Sequence, residues 1–340
     1  MTIRCEILDA SQVHSTSKQV QEIARSIGFS DALCGKAAII ATEMATNLLK
    51  FAHKGEILIQ TISRGDQYGI EIISIDSGPG IENVSRSFED GYSSAGSAGT
   101  GLGAIKRLSS EMEVYSAQGE GMILVSRLFQ GSVRKPSGYF TVASLTFPYP
   151  GEQLNGDGWS YRIIDGKSRF LLVDGLGHGL YAHEAADRAV DIFSAADGPL
   201  EDVLMRMHAA LRSTRGAAAS ILEIAHESGE IRFAGVGNVS GSLLTPGTRH
   251  NLVSLPGTLG VELRKVTVFS YPSDILQNQT TYAIMVTDGI GTKWDINAYP
   301  GIFHKDPTIL ASLIYRDFHR KNDDCSVLVI HGNSQQVMSR

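Results

Sequence analysis

Hydrophobic positions recur along this chain with two periods, and the change from one to the other divides it. Over residues 31–51, Ala37, Ile40, Met44 and Leu48 return every three or four positions, the stripe of a helix that buries one face. Residues 13–27 read as another helix, separated from it by the turn "GFS". The apolar runs "EILIQTI" (56–62) and "GIEIISID" (69–76) predict strands. A polar segment, 83–103, follows. Then "AIKRLSSEMEVYS" reads as a helix passing into a strand, "QGEG" as a turn and "MILVSRLF" as a strand. Beyond residue 138 strands dominate, among them "YFTVASLTF", "RFLLV", "ASILEIA", "YAIMVT" and "CSVLVI", with amphipathic helices at 180–193, 199–211 and 307–318. Between the blocks, "QGSVRKPSG" is short, polar and holds Gly, Pro and Ser, the composition of a linker. The expected layout is a first domain over 1–130, a linker at 131–138, a second domain over 139–332 and a tail at 333–340. The fold class is mixed α/β (α+β) in two domains, the second built of two sheets flanked by helices.

Composition narrows the class of protein. Of 340 residues, 42% are apolar and 19% charged, enough to bury two cores. The net charge of −6 lacks the basic footprint that nucleic acid requires. Cys5, Cys34 and Cys325 are far apart and read as reduced thiols. No apolar run approaches the ~20 residues of a membrane span, and no signal peptide is evident. A cytoplasmic protein with no nucleic-acid or membrane partner is expected.

Three short motifs in the first block could build a nucleotide pocket. "ATEMATNLLKFAH" places Glu43 and Asn47 one turn apart on one helix face, where a carboxylate and a carboxamide can orient a hydroxyl and hold a metal ion. In "SIDSGPGI", Asp76 closes an apolar strand and Gly78 and Gly80 form a tight turn, so a carboxylate faces a close-approach loop. "DGYSSAGSAGTGLGAIKRL" (90–108) runs from a Gly/Ser-rich stretch into a helix, whose N-terminal amides and dipole favour an anion. Its first part is expected to act as a lid and Gly99, Gly101 and Gly103 as a phosphate loop. Each motif is weak alone. Their order resembles the GHKL (Bergerat) ATP-binding fold, and within it the RsbT and RsbW class of protein-serine kinases that act on STAS-domain anti-sigma-antagonist proteins. The resemblance covers about 1–130. It implies Mg²⁺ held by Asn47, Glu43 as base for the seryl hydroxyl, Asp76 as adenine reader, Gly78 and Gly80 admitting the base, and the three loop glycines on the phosphates of ATP. "HEAADR" at His183 lies in the other block, so a protein-histidine kinase is not indicated.

In the second block, aspartates recur at strand ends and turns: Asp157 in "NGDGW", Asp174 in "FLLVDGLGHG", Asp288 in "AIMVTDGI", and Asp323 and Asp324 in "NDDCSVLVI". Carboxylates converging across two sheets would repel one another unless cations neutralise them. Hard oxygen ligands select Mg²⁺ or Mn²⁺, and two such ions can activate water for in-line attack on phosphorus. The pattern resembles the SpoIIE and RsbX branch of the PPM-type metal-dependent Ser/Thr phosphatases over about 138–332. This implies a PPM-type β-sandwich with Asp174 bridging two ions and the Gly175 carbonyl joining one shell, while Asp157, Asp288 and Asp323 supply the rest. Asp324 has no assigned role. His178 is expected to be structural, at the start of the 180–193 helix, and Asn238 in "GVGN" to serve a turn.

Together the resemblances imply opposed activities in one chain. The first block would phosphorylate, and the second dephosphorylate, Ser or Thr of a STAS-domain antagonist or stressosome-type protein, with a sigma factor or other regulator downstream. Two alternatives stay open: a phosphatase whose GHKL block only senses nucleotide, and a non-enzymatic anti-sigma-like binding switch. The intact aspartate set argues against the second. RsbW-like kinases also leave a homodimer open.

Overall fold

The structure, a computed structural model, describes residues 2–52, 54–81, 101–133, 138–271 and 281–332. Gly99, the expected lid, residues 134–137 of the expected linker and the tail lie outside the described residues. The chain divides into two compact units, Thr2–Ser137 and Gly138–Arg340.

The first unit is one antiparallel sheet with helices on it. Its elements are β1 (Ile3–Ile7), α1 (Ala10–Ser26), α2 (Asp31–Asn47), β2 (Gly55–Arg64), β3 (Gln67–Asp76), α3 (Gly101–Leu108), β4 (Glu111–Ser116) and β5 (Met122–Phe129), with strand order β1-β2-β3-β5-β4. Asp9 and Gln12 form a capping box that starts α1 three residues before its apolar stripe. One face of the sheet (Ile57, Ile59, Ile70, Ile72, Leu124, Leu128) packs on Val20 and Ala24 of α1 and on Ala37, Ile40, Ala41, Met44 and Leu48, the stripe read from the sequence. The expected helix over 31–51 is α-helical only to Asn47, and Leu48–Ala52 form a π turn. An apolar stripe cannot distinguish a wider turn from an α turn over one repeat, and such turns occur often at functional sites.

The second unit is a four-layer sandwich. It contains β6 (Phe140–Phe147), β7 (Asp157–Ile164), β8 (Lys167–Gly175), α4 (Leu180–Ala195), α5 (Leu200–Ala210), β9 (Ala217–Ala225), β10 (Ile231–Val236), β11 (Ser240–Thr245), β12 (Thr248–Leu252), β13 (Ser254–Leu255), β14 (Phe269–Tyr271), β15 (Tyr282–Val286), α6 (Pro307–Phe318) and β16 (Cys325–Gly332). One sheet runs β13-β10-β9-β8-β7, with β14 beside β10; the other runs β12-β11-β15-β16-β6. Period-2 alternation sends Phe170 and Leu172 of β8 to the core between the sheets, with Leu222, Phe233, Met285 and Leu328. Leu171 and Val173 point to the opposite face, under Ala185, Ala189 and Phe193 of α4 and Leu204 of α5. Helix α6 covers the second sheet at β6 and β16, where Tyr315 stacks on Phe147 with ring centroids 4.3 Å apart.

Candidate functional sites

In the first unit, Glu43 and Asn47 lie on the last turns of α2, both half-buried, and Gly101 opens α3 directly against them. A Cβ on Gly101 would stand 3.1 Å from Glu43 Oε2 and 3.4 Å from Asn47 Oδ1. The carboxylate, the carboxamide and the first turn of α3 therefore meet at one point. Gly101 and Gly103 were expected in a loop but belong to α3, and Gly103 is buried. The helix tolerates two glycines because it packs closely on α2. Asp76 is buried at the end of β3, and its Oδ1 accepts hydrogen bonds from the amides of Gly78 (2.8 Å) and Met122 (3.2 Å), which fix its direction. Gly80 (φ +71°) has a packing reason to be glycine, since a Cβ would collide with the Ala117 carbonyl. The Gly119 amide donates to the Pro79 carbonyl at 2.8 Å and Ile81 to Ser116 Oγ at 2.8 Å, so this loop is pinned to the β4–β5 turn.

In the second unit the aspartates gather at one end of the sandwich. Asp157 opens β7 and Asp174 stands opposite it near the end of β8. Asp288 follows β15, and Asp323 and Asp324 precede β16, the strand paired with β15. The two sheets are tied at this end by the Thr287 hydroxyl, which donates to Asp157 Oδ2 at 2.7 Å and accepts from the Ser326 amide at 2.9 Å. Asp288 Oδ2 accepts from Asn238 Nδ2 at 2.6 Å, so Asn238 does more than make a turn. Three buried carboxylate oxygens, Asp157 Oδ1, Asp174 Oδ2 and Asp324 Oδ2, have no hydrogen-bond partner.

The electrostatics follow. Burial, then the Asp174 charge, pushes Asp157 well above the usual carboxylate range. Burial, then Asp288, Asp323 and Asp324, pushes Asp174 up to about 8. Asp323 and Asp324 are raised too, chiefly by burial. A cation would remove both the repulsion and the unmet acceptor demand, so these residues fit a divalent-metal site. Among the described residues no three His, Cys, Asp or Glu side chains close on one point as a complete cage.

Several residues around this site were not anticipated. Asp324 Oδ1 accepts from the Tyr149 amide at 2.8 Å, and a Cβ on Gly156 would stand 2.5 Å from its Oδ2. His178 stands directly before Gly179, the N-cap of α4; its Nδ1 pairs with Glu152 Oε1 at 3.0 Å and its ring stacks on Tyr149 at 4.1 Å. The facing of Asp157 and Asp174 had a readable signal. Asp165-Gly166, both at positive φ, make a two-residue hairpin turn that pairs Ile164 with Lys167, and counting back gives Asp157 with Asp174.

The histidine kinase-like ATPase domain family matches residues 8–127. The serine/threonine-protein kinase RsbT of Bacillus subtilis (strain 168) is 35% identical over 101 residues, 30% of this chain and 76% of RsbT. The chain belongs to the RsbT family. This RsbT-family chain is also 32% identical over 97 residues to the phosphoserine phosphatase RsbX of the same organism, an alignment that spans 28% of the chain and 49%, about half, of RsbX. Solved RsbX in complex with magnesium superposes with a TM-score of 0.50 at 22% identity, covering 58% of this chain and 98% of RsbX. A chain from work on the bacterial stressosome, described as a modular system adapted to control secondary messenger signaling, gives 0.52 at 24% identity, covering 57% of this chain and all of that one. An RsbT-family unit is thus joined to a unit with the phosphatase fold. Among the described residues no helix of this RsbT-family protein is long and apolar enough to cross a membrane.

Proposed function

We propose that the chain is a two-activity regulator of a partner-switching pathway. The first unit phosphorylates, and the second dephosphorylates, a serine or threonine of a STAS-domain antagonist or stressosome-type protein. The observation that carries the phosphatase half is the facing pair Asp157 and Asp174, each with a buried, unpartnered carboxylate oxygen. A module that only bound a partner would have no need to bury unneutralised acids. The kinase half rests on family membership and on Gly101 bringing α3 to Glu43 and Asn47.

In the first unit, Asn47 holds the Mg²⁺ that accompanies ATP, the first-turn amides of α3 meet the phosphates, and Asp76 receives the adenine amino group. Glu43 accepts the hydroxyl proton as the new oxygen–phosphorus bond replaces the bond to ADP. Most of the rate comes from positioning, and the base contributes about 10²–10⁴-fold. In the second unit, Asp157, Asp174, the Gly175 carbonyl, Asp288 and Asp323 hold two Mg²⁺ or Mn²⁺ ions. When bound, these supply positive charge and an activated water for hydrolysis of the phosphoester. Thr287 and Asn238 aim Asp157 and Asp288, and Asp324 locks Tyr149 and Gly156 around the acidic end.

The experiment uses γ-labelled ATP, a panel of purified STAS-domain proteins, and the wild type, Glu43→Ala and Asp174→Asn. Transfer that persists in Asp174→Asn and vanishes in Glu43→Ala, with removal of label from substrate phosphorylated beforehand lost only in Asp174→Asn, is the expected result. ATP binding without transfer in every protein tested would reduce the first unit to a nucleotide sensor.

A further inference from the structure

Beside the acidic end lies a rim that the phosphatase chemistry does not use. The Leu176 amide donates to the Gly216 carbonyl at 3.0 Å, extending the β8–β9 pairing past Asp174 and Gly175 and bringing Gly177 alongside Arg215. Gly177 (φ +85°) makes room for the Arg215 guanidinium, since a Cβ there would stand 2.9 Å from Nη1. That guanidinium also lies 4.9 Å over the ring of Tyr181, in the first turn of α4. Val261 Cγ2 comes 3.0 Å from where a Cβ on Gly216 would sit. Leu176, Leu180, Tyr181 and Val261 are all large, apolar and 49–65% exposed. Among the described residues Arg215 is exposed and pairs with no carboxylate.

An unpaired arginine stacked on a tyrosine and ringed by exposed aliphatics has the composition of a binding hot spot. Its place decides what it binds. With its metal ions in place the neighbouring acidic end draws in the phosphate ester itself, but the chain's net charge of −6 opposes the acidic residues that flank it. A phosphoprotein therefore needs a positive handhold next to that end. We propose that Arg215, Tyr181, Leu176 and Val261 form the docking rim for the phosphorylated protein substrate, selecting phosphosites flanked by acidic and apolar residues. The inference rests on the phosphatase reading of the second unit and deepens it. Arg215 meets the flanking carboxylates, while the aliphatics and Tyr181 cover the apolar flank.

The test compares two fluorescein-labelled phosphoserine peptides of equal length, one flanked by Asp and Leu and one by Lys and Gly, with p-nitrophenyl phosphate as a substrate that has no flanks. Full-length wild type with Mn²⁺ should favour the Asp/Leu peptide about tenfold in kcat/KM. Arg215→Glu should bring the ratio to about one or invert it, and Tyr181→Ser should lower it, with rates on p-nitrophenyl phosphate and the melting temperature unchanged. A preference absent in the wild type or retained in Arg215→Glu overturns the proposal. So does a parallel fall on p-nitrophenyl phosphate, or a wild-type dimer that Arg215→Glu dissociates. If the wild type hydrolyses none of the three substrates, the phosphatase reading fails separately. Docking is then read by fluorescence anisotropy of the same peptides on Asp174→Asn: tighter binding of the Asp/Leu peptide supports the rim, and equal binding overturns it.

Discussion

Replacing Asp174 by asparagine should stabilise the metal-free protein while removing its response to metal. The Asp174 carboxyl ionises near 3.8 in the ordinary state and is pushed up to about 8 in the fold by burial and by Asp288, Asp323 and Asp324. Between those values the folded state holds a proton that the unfolded state has released, so wild-type stability falls as pH rises through the window. At about pH 7 the cost has a ceiling of roughly 4 kcal/mol, at 1.36 kcal/mol for each of about three pH units; at about pH 5 it is roughly 1.6 kcal/mol. Asp174 is not fully shielded from solvent, and screening takes the neutral-pH value down to roughly 2 kcal/mol. Asparagine keeps the shape and carries none of this cost. In a unit of about 200 residues that difference is worth roughly 4–8 °C in Tm. Both tryptophans, Trp159 and Trp294, lie in the second unit, so tryptophan fluorescence reports its melting. In EDTA, Asp174→Asn should melt higher than wild type, by more at about pH 8 than at about pH 5. With Mn²⁺ the wild type should gain and the variant should not. A variant that melts at or below wild type at neutral pH, or whose advantage is independent of pH, refutes the reasoning.

Other expectations follow from single residues. Glu43→Ala should lower label transfer by about 10²–10⁴-fold while binding of a fluorescent ATP analogue is kept. Gly80→Ala should destabilise the first unit by roughly 2–3 kcal/mol in urea unfolding, because it adds a collision with Ala117 to a positive φ; Gly119→Ala, at φ +80° with open space around it, should cost only about 1 kcal/mol. Glu71→Ala removes the 2.6 Å partner of the buried Arg127 guanidinium and should cost about 3 kcal/mol by the same measurement, with other contacts, such as that to Glu111 at 3.6 Å, limiting the loss.

The elements with strong periodicity were legible. The 307–318 helix is α6 to the residue, and the 69–76 run is β3 but for two residues at its start. β1 was missed because five residues with two charges carry too little alternation, and β7 because it opens on Asp157-Gly158, a pair that reads as a turn. The acidic residues could be picked out one by one, since each ends or precedes an apolar run. What holds them could not. Gly156 and Gly289 are glycines because Asp324 presses against both from 35 or more residues away in sequence, and Thr287 meets Asp157 across 130 residues. Such contacts arise from stacking the two sheets, which no local pattern encodes. In the first unit, the proximity of Gly101 to Glu43 likewise depends on how α3 lies on α2.

The Thr287–Asp157 hydrogen bond gives the second unit a weak seam. Along most of their length its sheets adhere through Phe170, Leu172, Phe233, Met285 and Leu328, whereas at the acidic end a hydroxyl bridges strands that carry mutually repelling charges. Amide exchange in metal-free protein should therefore be fastest at 155–158, 286–289 and 323–326, with the aromatic interior remaining protected. The two sheets would part like a clasp at the acidic end, and ion supply would set how firmly that clasp is shut.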